Sequence, residues 1–343
     1  MPESLKILLV RLSHLGDVVH AVPVLRALRA AQPEAELGWV VQPEFADLIR
    51  PLSGLDRVFL FNRQGGLREW IRVRSELRSW SPDWVVDAQG NYKSAAVTWC
   101  SGAPVRHGPA PQDWQEPRGA KRLTHPAPPS YGAHAMHKMA ALLERIAPDQ
   151  DLDFDLEPSD EELAAGRAAL EERCGAPGPG QLWILHLGAP GDPRSWPADR
   201  FAELARRLGS RGDSVLVLSG PAESVAGASV EDDLRRSGDT SVAHWIGQVG
   251  LRELVGVLSA AGERGARMVV GDSGPAHLAA ACGLGVDMLS GPQDPGKTGP
   301  WPLHDHRGSP HRVLQSRAGE PAPITELSLE AVVEKLMEPA PGA

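Results

Sequence analysis

Cysteine is scarce. Cys100, Cys174 and Cys282 are the only three in 343 residues, and they form no CxxC and no paired spacing. That argues against a disulfide framework or a zinc site and fits a reducing compartment. A basic surplus is missing too: the formal net charge is −9. Phosphate backbones are gripped by excess Lys and Arg, so nucleic acid is not an expected partner. Long apolar runs are absent, with nothing near the ~18 residues a membrane-spanning helix needs. The opening MPESLKILLVRL is too short for a span, and no small-residue cleavage site follows it. The expectation is a cytoplasmic protein that meets a membrane only from its inner surface. No GxGxxG follows a strand, which counts against a nicotinamide-dependent dehydrogenase.

What is present is ordinary globular composition, 42% hydrophobic and 23% charged. The length suits two domains of ~100–200 residues each. Short apolar runs alternate with longer amphipathic segments, the pattern of βα units and parallel sheets. Strands are expected at residues 6–10, 37–41, 58–61, 84–87 and 105–108. Helices are expected at 17–30, 67–80, 92–99 and 134–146. The alternation then stops at residues 147–158, an acidic stretch with two prolines that reads as a linker. A helix at 160–173 follows, stopped by GAPGPG.

Alternation restarts with strands at 182–186, 215–218, 242–246, 268–270 and 286–289, and helices at 198–208, 223–236, 251–261, 275–282 and 328–337. The fold class is therefore α/β, with two doubly wound Rossmann-like domains facing across a cleft. The expected division is 1–147, a connecting segment 148–180, 181–325, and a C-terminal helix and tail at 326–343. In such sheets ligands bind beyond the C-terminal ends of the strands.

Four strand ends carry chemistry. The first runs into Arg11-Leu12-Ser13-His14-Leu15-Gly16-Asp17, with a helix opening near Asp17. Gly16 permits close backbone approach. Asp17 reads either as a helix cap or as a reactive carboxylate above the sheet edge. In the second half, Gly271-Asp272-Ser273-Gly274-Pro275 links a buried strand to a helix holding His277. Free N–H groups of Ser273 and Gly274 at the positive helix end suit a diphosphate. The same turn also reads as a simple capped strand–helix junction, and His277 as a core histidine. Arg194, in a Gly/Pro loop before Trp196-Pro197, is either a phosphate counter-charge or a solvated side chain. Glu223, just past a strand end, is either a ribose-binding acid or a helix-start acid. The loop 290–302, SGPQDPGKTGPWP, lies at the same functional edge.

Together these segments resemble a known family. RLSHLGDVVHAVPVLRALRAAQPEAELGWVV resembles the opening of glycosyltransferase family 9, the ADP-heptose:lipopolysaccharide heptosyltransferases. DAQGNYKSA at 87–95 resembles its fourth-strand motif, GDSGPAHLAAA at 271–281 its most diagnostic one, and Arg194-Ser195-Trp196-Pro197 its basic-xWP loop. The motifs keep the family's order from about Lys6 to Leu314. Asp113-Trp114-Gln115 and His134-Ala135 are similar to the heptosyltransferase I branch, which adds the first heptose to a Kdo residue.

The resemblance implies a metal-independent, inverting GT-B transferase without a cofactor, moving heptose from ADP-heptose to Kdo-lipid A. No DxD motif stands in the donor-site loops. The resemblance implies Asp17 as catalytic base. For the donor it implies Arg194 (where the family has Lys), Glu223, Val249, Asp272, Ser273, Gly274 and His277. For the acceptor it implies Ser13, His14, Gly16, Gln89, Lys93, Asp113 and Arg118. An anionic glycolipid acceptor needs cations, and further candidates are Arg63, Arg68, Arg72, Arg74, Arg78, Lys121 and Arg122; these also read as a solvated helix face. Three departures stand out: His14 replaces a small polar residue, GERGARM at 262–268 lengthens one loop, and 110–130 matches only in patches. The implied location is the cytoplasm, peripheral to the inner membrane. Other readings are a same-family enzyme with another donor or acceptor, and a nucleotide-sugar-binding protein without activity.

Overall fold

The computed structural model describes residues 4–150, 152, 154–237, 242–246, 249–315 and 322–339. Residues 151 and 153 of the expected linker, and the expected tail from 340 onward, lie outside them. The chain divides into two compact units, Met1–Phe154 and Asp155–Ala343.

The first unit runs β1 (Lys6–Val10), α1 (Leu15–Ala31), β2 (Glu36–Val41), α2 (Ala46–Ile49), β3 (Arg57–Leu60), α3 (Gly66–Trp80), β4 (Trp84–Asp87), α4 (Tyr92–Ser101), β5 (Val105–Gly108), β6 (His125–Pro126) and α5 (Ala135–Ile146). Among the described residues its six strands stand in the order β3-β2-β1-β4-β5-β6. Every neighbouring pair is parallel. β1 and β2 are buried nearly throughout. That is why they read as continuous apolar runs rather than alternating ones.

The second unit runs α6 (Asp160–Cys174), β7 (Leu182–His186), α7 (Ala198–Gly209), β8 (Ser214–Ser219), α8 (Ser224–Ser237), β9 (Val242–Ile246), α9 (Leu251–Glu263), β10 (Arg267–Gly271), α10 (Gly274–Ala281), β11 (Gly285–Ser290), α11 (Pro295–Thr298), β12 (Arg312–Gln315) and α12 (Leu329–Met337). Its strand order is β12-β11-β10-β7-β8-β9, again all parallel. Counted from its own first strand, that is the same order as in the first unit. In each unit the order reverses beside the first strand, between β1 and β4 and between β7 and β10. A crevice opens at such a switch point, beyond the strands' C-terminal ends.

Several elements differ from the sequence expectation. β6 and β12 were not expected: β6 has two residues, and β12 is a short edge strand after a Gly/Pro-dense loop. α1 starts at Leu15 rather than Asp17, which moves Asp17 into the first turn with His14 as N-cap. α9 runs to Glu263, so most of the expected long loop at 262–268 is helix end and strand start. α6, expected as part of a connecting segment, is built into the second unit. Gly166 on α6 and Gly256 on α9 face one another, and a Cβ at either would collide with the other helix's backbone. A Ser159 capping box starts α6, its hydroxyl accepting from Glu162 N–H at 3.2 Å. α12 closes the second core through Leu329, Val332 and Leu336, packed with Phe201, Leu204 and Leu208 of α7.

Candidate active site

At the first switch point, the ends of β1, β2, β3 and β4 line a cleft of about 140 Å³. Its walls include Arg11, Ser13, His14, Asp17, Gln42, Arg63, Gln89, Asn91, Lys93 and Gln115. Arg11 and Asp17 form an ion pair. The Arg11 side chain is 9% exposed and that of Asp17 36%, so one carboxylate face meets solvent. Asp17 also accepts from His14 N–H at 3.2 Å, as a helix-start acid does. Burial pushes its carboxyl up, but the Arg11 charge and the His14 bonds pull harder the other way. The net result lies well below the usual carboxylate range.

The β4 wall is braced from beneath. Asp87 is fully buried and accepts from Gln89 N–H at 2.9 Å and Gly90 N–H at 3.0 Å. Burial raises its pKa against those bonds. Gly90 takes φ +76°, a left-handed conformation that suits glycine. Gln89 Oε1 then reaches back to accept from Leu12 N–H at 2.8 Å, tying the β4 loop to the β1 loop.

At the second switch point the loop after β7 folds over the end of β10. A Cβ on Gly271 would stand 2.7 Å from the Arg194 carbonyl oxygen, and only glycine allows that approach. Arg194 is bound through its guanidinium to Asp192 at 3.0 and 2.7 Å, and its side chain is 44% exposed. Asp272 is 6% exposed. Burial pushes its carboxyl up, opposed by a bond from Thr298 and the charge of Arg194. Ser273 is the N-cap of α10, and its hydroxyl donates to the Gly271 carbonyl at 3.2 Å. In the first turn of α10 Pro275 has no N–H and the Ala276 N–H donates to the Ser273 carbonyl at 3.1 Å, which leaves the Gly274 N–H as the first-turn donor at this helix start. His277 is buried one turn in, at 8% exposure. Glu223 and Val249, both half-buried, stand past the ends of β8 and β9 on the same sheet edge.

The structure thus brings Ser13, His14, Asp17, Gln89 and Lys93 around one cleft, with Gly16 buried in the turn beneath. Arg194, Asp272, Ser273 and Gly274 gather at the other. Asp113 and Arg118 are not in the cleft lining. Asp113 holds Ser130, accepting from its N–H at 2.9 Å and its hydroxyl at 2.8 Å, and Arg118 is exposed on the turn Pro117–Arg122. Of the proposed acceptor cations only Arg63 and Lys93 line the cleft; Arg72 is held by Glu69 and Glu76. Sequence reasoning missed the roles of Arg11, Gln42, Asn91, Asp192 and Thr298. Arg11 carried one signal, a charge directly after a buried strand.

Two doubly wound units, each gathering polar loops at its switch point, define a GT-B-type two-domain enzyme. Residues 70–311 match the model of glycosyltransferase family 9 (heptosyltransferase). Lipopolysaccharide heptosyltransferase 1 of Pseudomonas aeruginosa is 32% identical over 305 residues, 86% of this chain and 81% of that one. The Escherichia coli K12 protein of the same name is 25% identical over 97% of this chain and 99% of its own. Among solved structures, a family 9 glycosyltransferase from Veillonella parvula superposes with TM-score 0.79 at 19% identity, covering 97% of each chain. The E. coli heptosyltransferase WaaC with ADP gives 0.75 at 23% identity, covering 97% of this chain and 99% of its own. The chain belongs to glycosyltransferase family 9 and is a glycosyltransferase.

Proposed function

We propose that this enzyme moves a heptosyl unit from ADP-heptose to a Kdo residue of the lipopolysaccharide inner core, with inversion. The observation that carries the reading is the Asp17 carboxylate, held ionised and part-exposed at the first switch point. Relatives named lipopolysaccharide heptosyltransferase 1 support the substrate class, and a structural neighbour solved with ADP supports the nucleotide.

In this reading the first unit holds the acceptor through Ser13, His14, Gln89, Lys93 and Arg63, with Gly16 keeping the turn close. Asp17 takes the acceptor hydroxyl proton as that oxygen bonds to the anomeric carbon. The bond from that carbon to the diphosphate oxygen breaks, and ADP leaves with the electron pair. The second unit holds the donor: Arg194 and the α10 start face the diphosphate and stabilise the charge that builds on it. Arg194 must exchange Asp192 for phosphate, and a guanidinium offers either partner a bidentate match. Glu223 serves the ribose hydroxyls, Val249 the adenine face and Asp272 the heptose, with His277 behind. A guanidinium and a helix start can together neutralise the leaving group, as a divalent ion does elsewhere.

The test is ADP release from ADP-heptose with Kdo-lipid A, comparing wild type with Asp17→Ala. Acceptor-dependent release that falls by roughly 10²–10⁴ in the variant, with ADP binding intact, is expected. No release from a folded, ADP-binding wild type would overturn the substrate pair.

A further inference from the structure

The loop that carries Arg194 also carries an acid bonded to it. After β7 the chain makes two tight turns. Asp192 N–H donates to the Ala189 carbonyl at 3.2 Å, and Ser195 N–H donates to the Asp192 carbonyl at 2.9 Å. Just beyond, Trp196 is buried and donates from Nε1 to the Leu327 carbonyl at 2.8 Å, which fixes the loop's end in the second core.

The Asp192 carboxylate does two separable things. Its Oδ1 accepts from the Arg194 backbone N–H at 2.8 Å, a turn bond that an Asn oxygen makes as well. Its two oxygens together accept from Nε and Nη2 of the Arg194 guanidinium, at 3.0 and 2.7 Å. That is the fork geometry in which a guanidinium also takes a phosphate. One edge cannot serve both acceptors at once.

The local charge sharpens the conflict. The Arg194 bonds hold the Asp192 carboxyl below its ordinary range, so it stays ionised. Beside burial, the Asp192 charge pushes the Asp272 carboxyl up, so the two acids share one field. An acid there opposes binding of a diphosphate, and its contribution has to come elsewhere in the cycle. Donor and product share that diphosphate, and the product must leave before the next turnover.

We propose that Asp192 is a release residue: its carboxylate competes with the diphosphate for the Arg194 guanidinium and takes it back as ADP departs. The proposal rests on the donor reading given above. Affinity for donor and product falls by the fraction of molecules in which Asp192 holds the guanidinium.

The experiment is calorimetric titration of the full chain with ADP, and with adenosine, which lacks the phosphates. Wild type is compared with Asp192→Asn, which keeps the turn bond but loses the charge, and Asp192→Glu, which keeps the charge but shifts it off the turn. Circular dichroism checks that all three fold. Asp192→Asn should bind ADP about two- to fivefold more tightly, the range of a part-exposed ion pair, and the gain should shrink with salt. Asp192→Glu should stay near wild type, and adenosine affinity should not change. In turnover, Asp192→Asn should show a lower KM for ADP-heptose and stronger product inhibition by ADP. A loop brace predicts the opposite pattern, with ADP affinity unchanged in Asp192→Asn and weakened in Asp192→Glu. That pattern overturns the proposal and leaves the donor reading in place, as does equal tightening in both variants. A folded wild type that does not bind ADP overturns the donor reading and the proposal with it.

Discussion

Arg11 joins the two strand ends that frame the first switch point. Its guanidinium pairs with the Asp17 carboxylate in the first turn of α1 and donates to the Ala88 carbonyl past β4 at 2.5 Å. Trp39 on β2 fixes its backbone, donating from Nε1 to the Arg11 carbonyl at 3.1 Å. The carboxylate is thus oriented from below while one face stays open. Its lowered pKa keeps it ionised at neutral pH, at some cost in intrinsic basicity.

Replacing Arg11 with Met should therefore show in the pH profile more than in donor binding. Burial raises the Asp17 pKa and Arg11 is the largest influence lowering it. Without Arg11 the folded pKa climbs, and Asp17 begins to protonate at higher pH. The acid limb of kcat/KM should shift upward, with Arg11→Lys restoring much of the wild-type profile. A rate loss in Arg11→Met with an unmoved limb would show that Arg11 only supports the loop.

Arg194→Ala should weaken donor use. A phosphate contact made equally in ground and transition states raises KM alone, whereas one that strengthens as ADP leaves also lowers kcat. The proposed role predicts both effects, with Arg194→Lys milder because charge survives while the fork is lost. Steady-state kinetics over a range of ADP-heptose concentrations separates the two. Unchanged constants would return Arg194 to a loop brace for Asp192.

Acid should destabilise the fold before carboxylates alone would explain it. His107, His186 and His311 each have a pKa lowered from 6.5 to about 4, chiefly by burial. Their neutral forms fit the fold, so their contribution is complete above 6.5. It declines as the unfolded chain takes up protons, and is lost as pH falls through about 4. Denaturant midpoints should thus be level above neutrality and fall steadily from pH 6.5 to 4. His186→Phe should flatten part of that slope.

A buried charge network at the edge of the second sheet offers a stability test far from either site. Asp287 on β11 is fully buried between Arg267 on β10 and Arg312 on β12, and both guanidiniums donate to it. Asp287→Ala leaves two buried cations uncompensated, a change that costs about 3–5 kcal/mol. Thermal melting should fall by about 2–4 °C for each kcal/mol lost, while transferase activity stays intact in molecules that remain folded.

Much of the scaffold was legible because its signals are local. Buried parallel strands read as short apolar runs, and β1, β4, β5, β7 and β9 match their expected limits residue for residue. β12 escaped notice because only half of its residues are buried, and its arginine gains a buried partner, Asp287, from a neighbouring strand. In the candidate site, glycines and helix-start residues announced the turns after β1 and β10. The pairing of Arg11 with Asp17 did not show, because a cation and an acid six positions apart carry no periodic signature. Asp113 looked like a cleft residue within a familiar motif, yet its carboxylate serves Ser130.

The sequence by itself determined that two βα arrays would form, where most of their strands would lie, and which loops would carry glycine, acid and cation. Hydrophobic period and turn chemistry act over a few residues, so the chain displays them directly. Only the tertiary structure decided that β4 lies beside β1 and β10 beside β7, which turns loops distant along the chain into single sites. That lateral order arises from burying both faces of each sheet at once. So does the choice of Arg11 for Asp17.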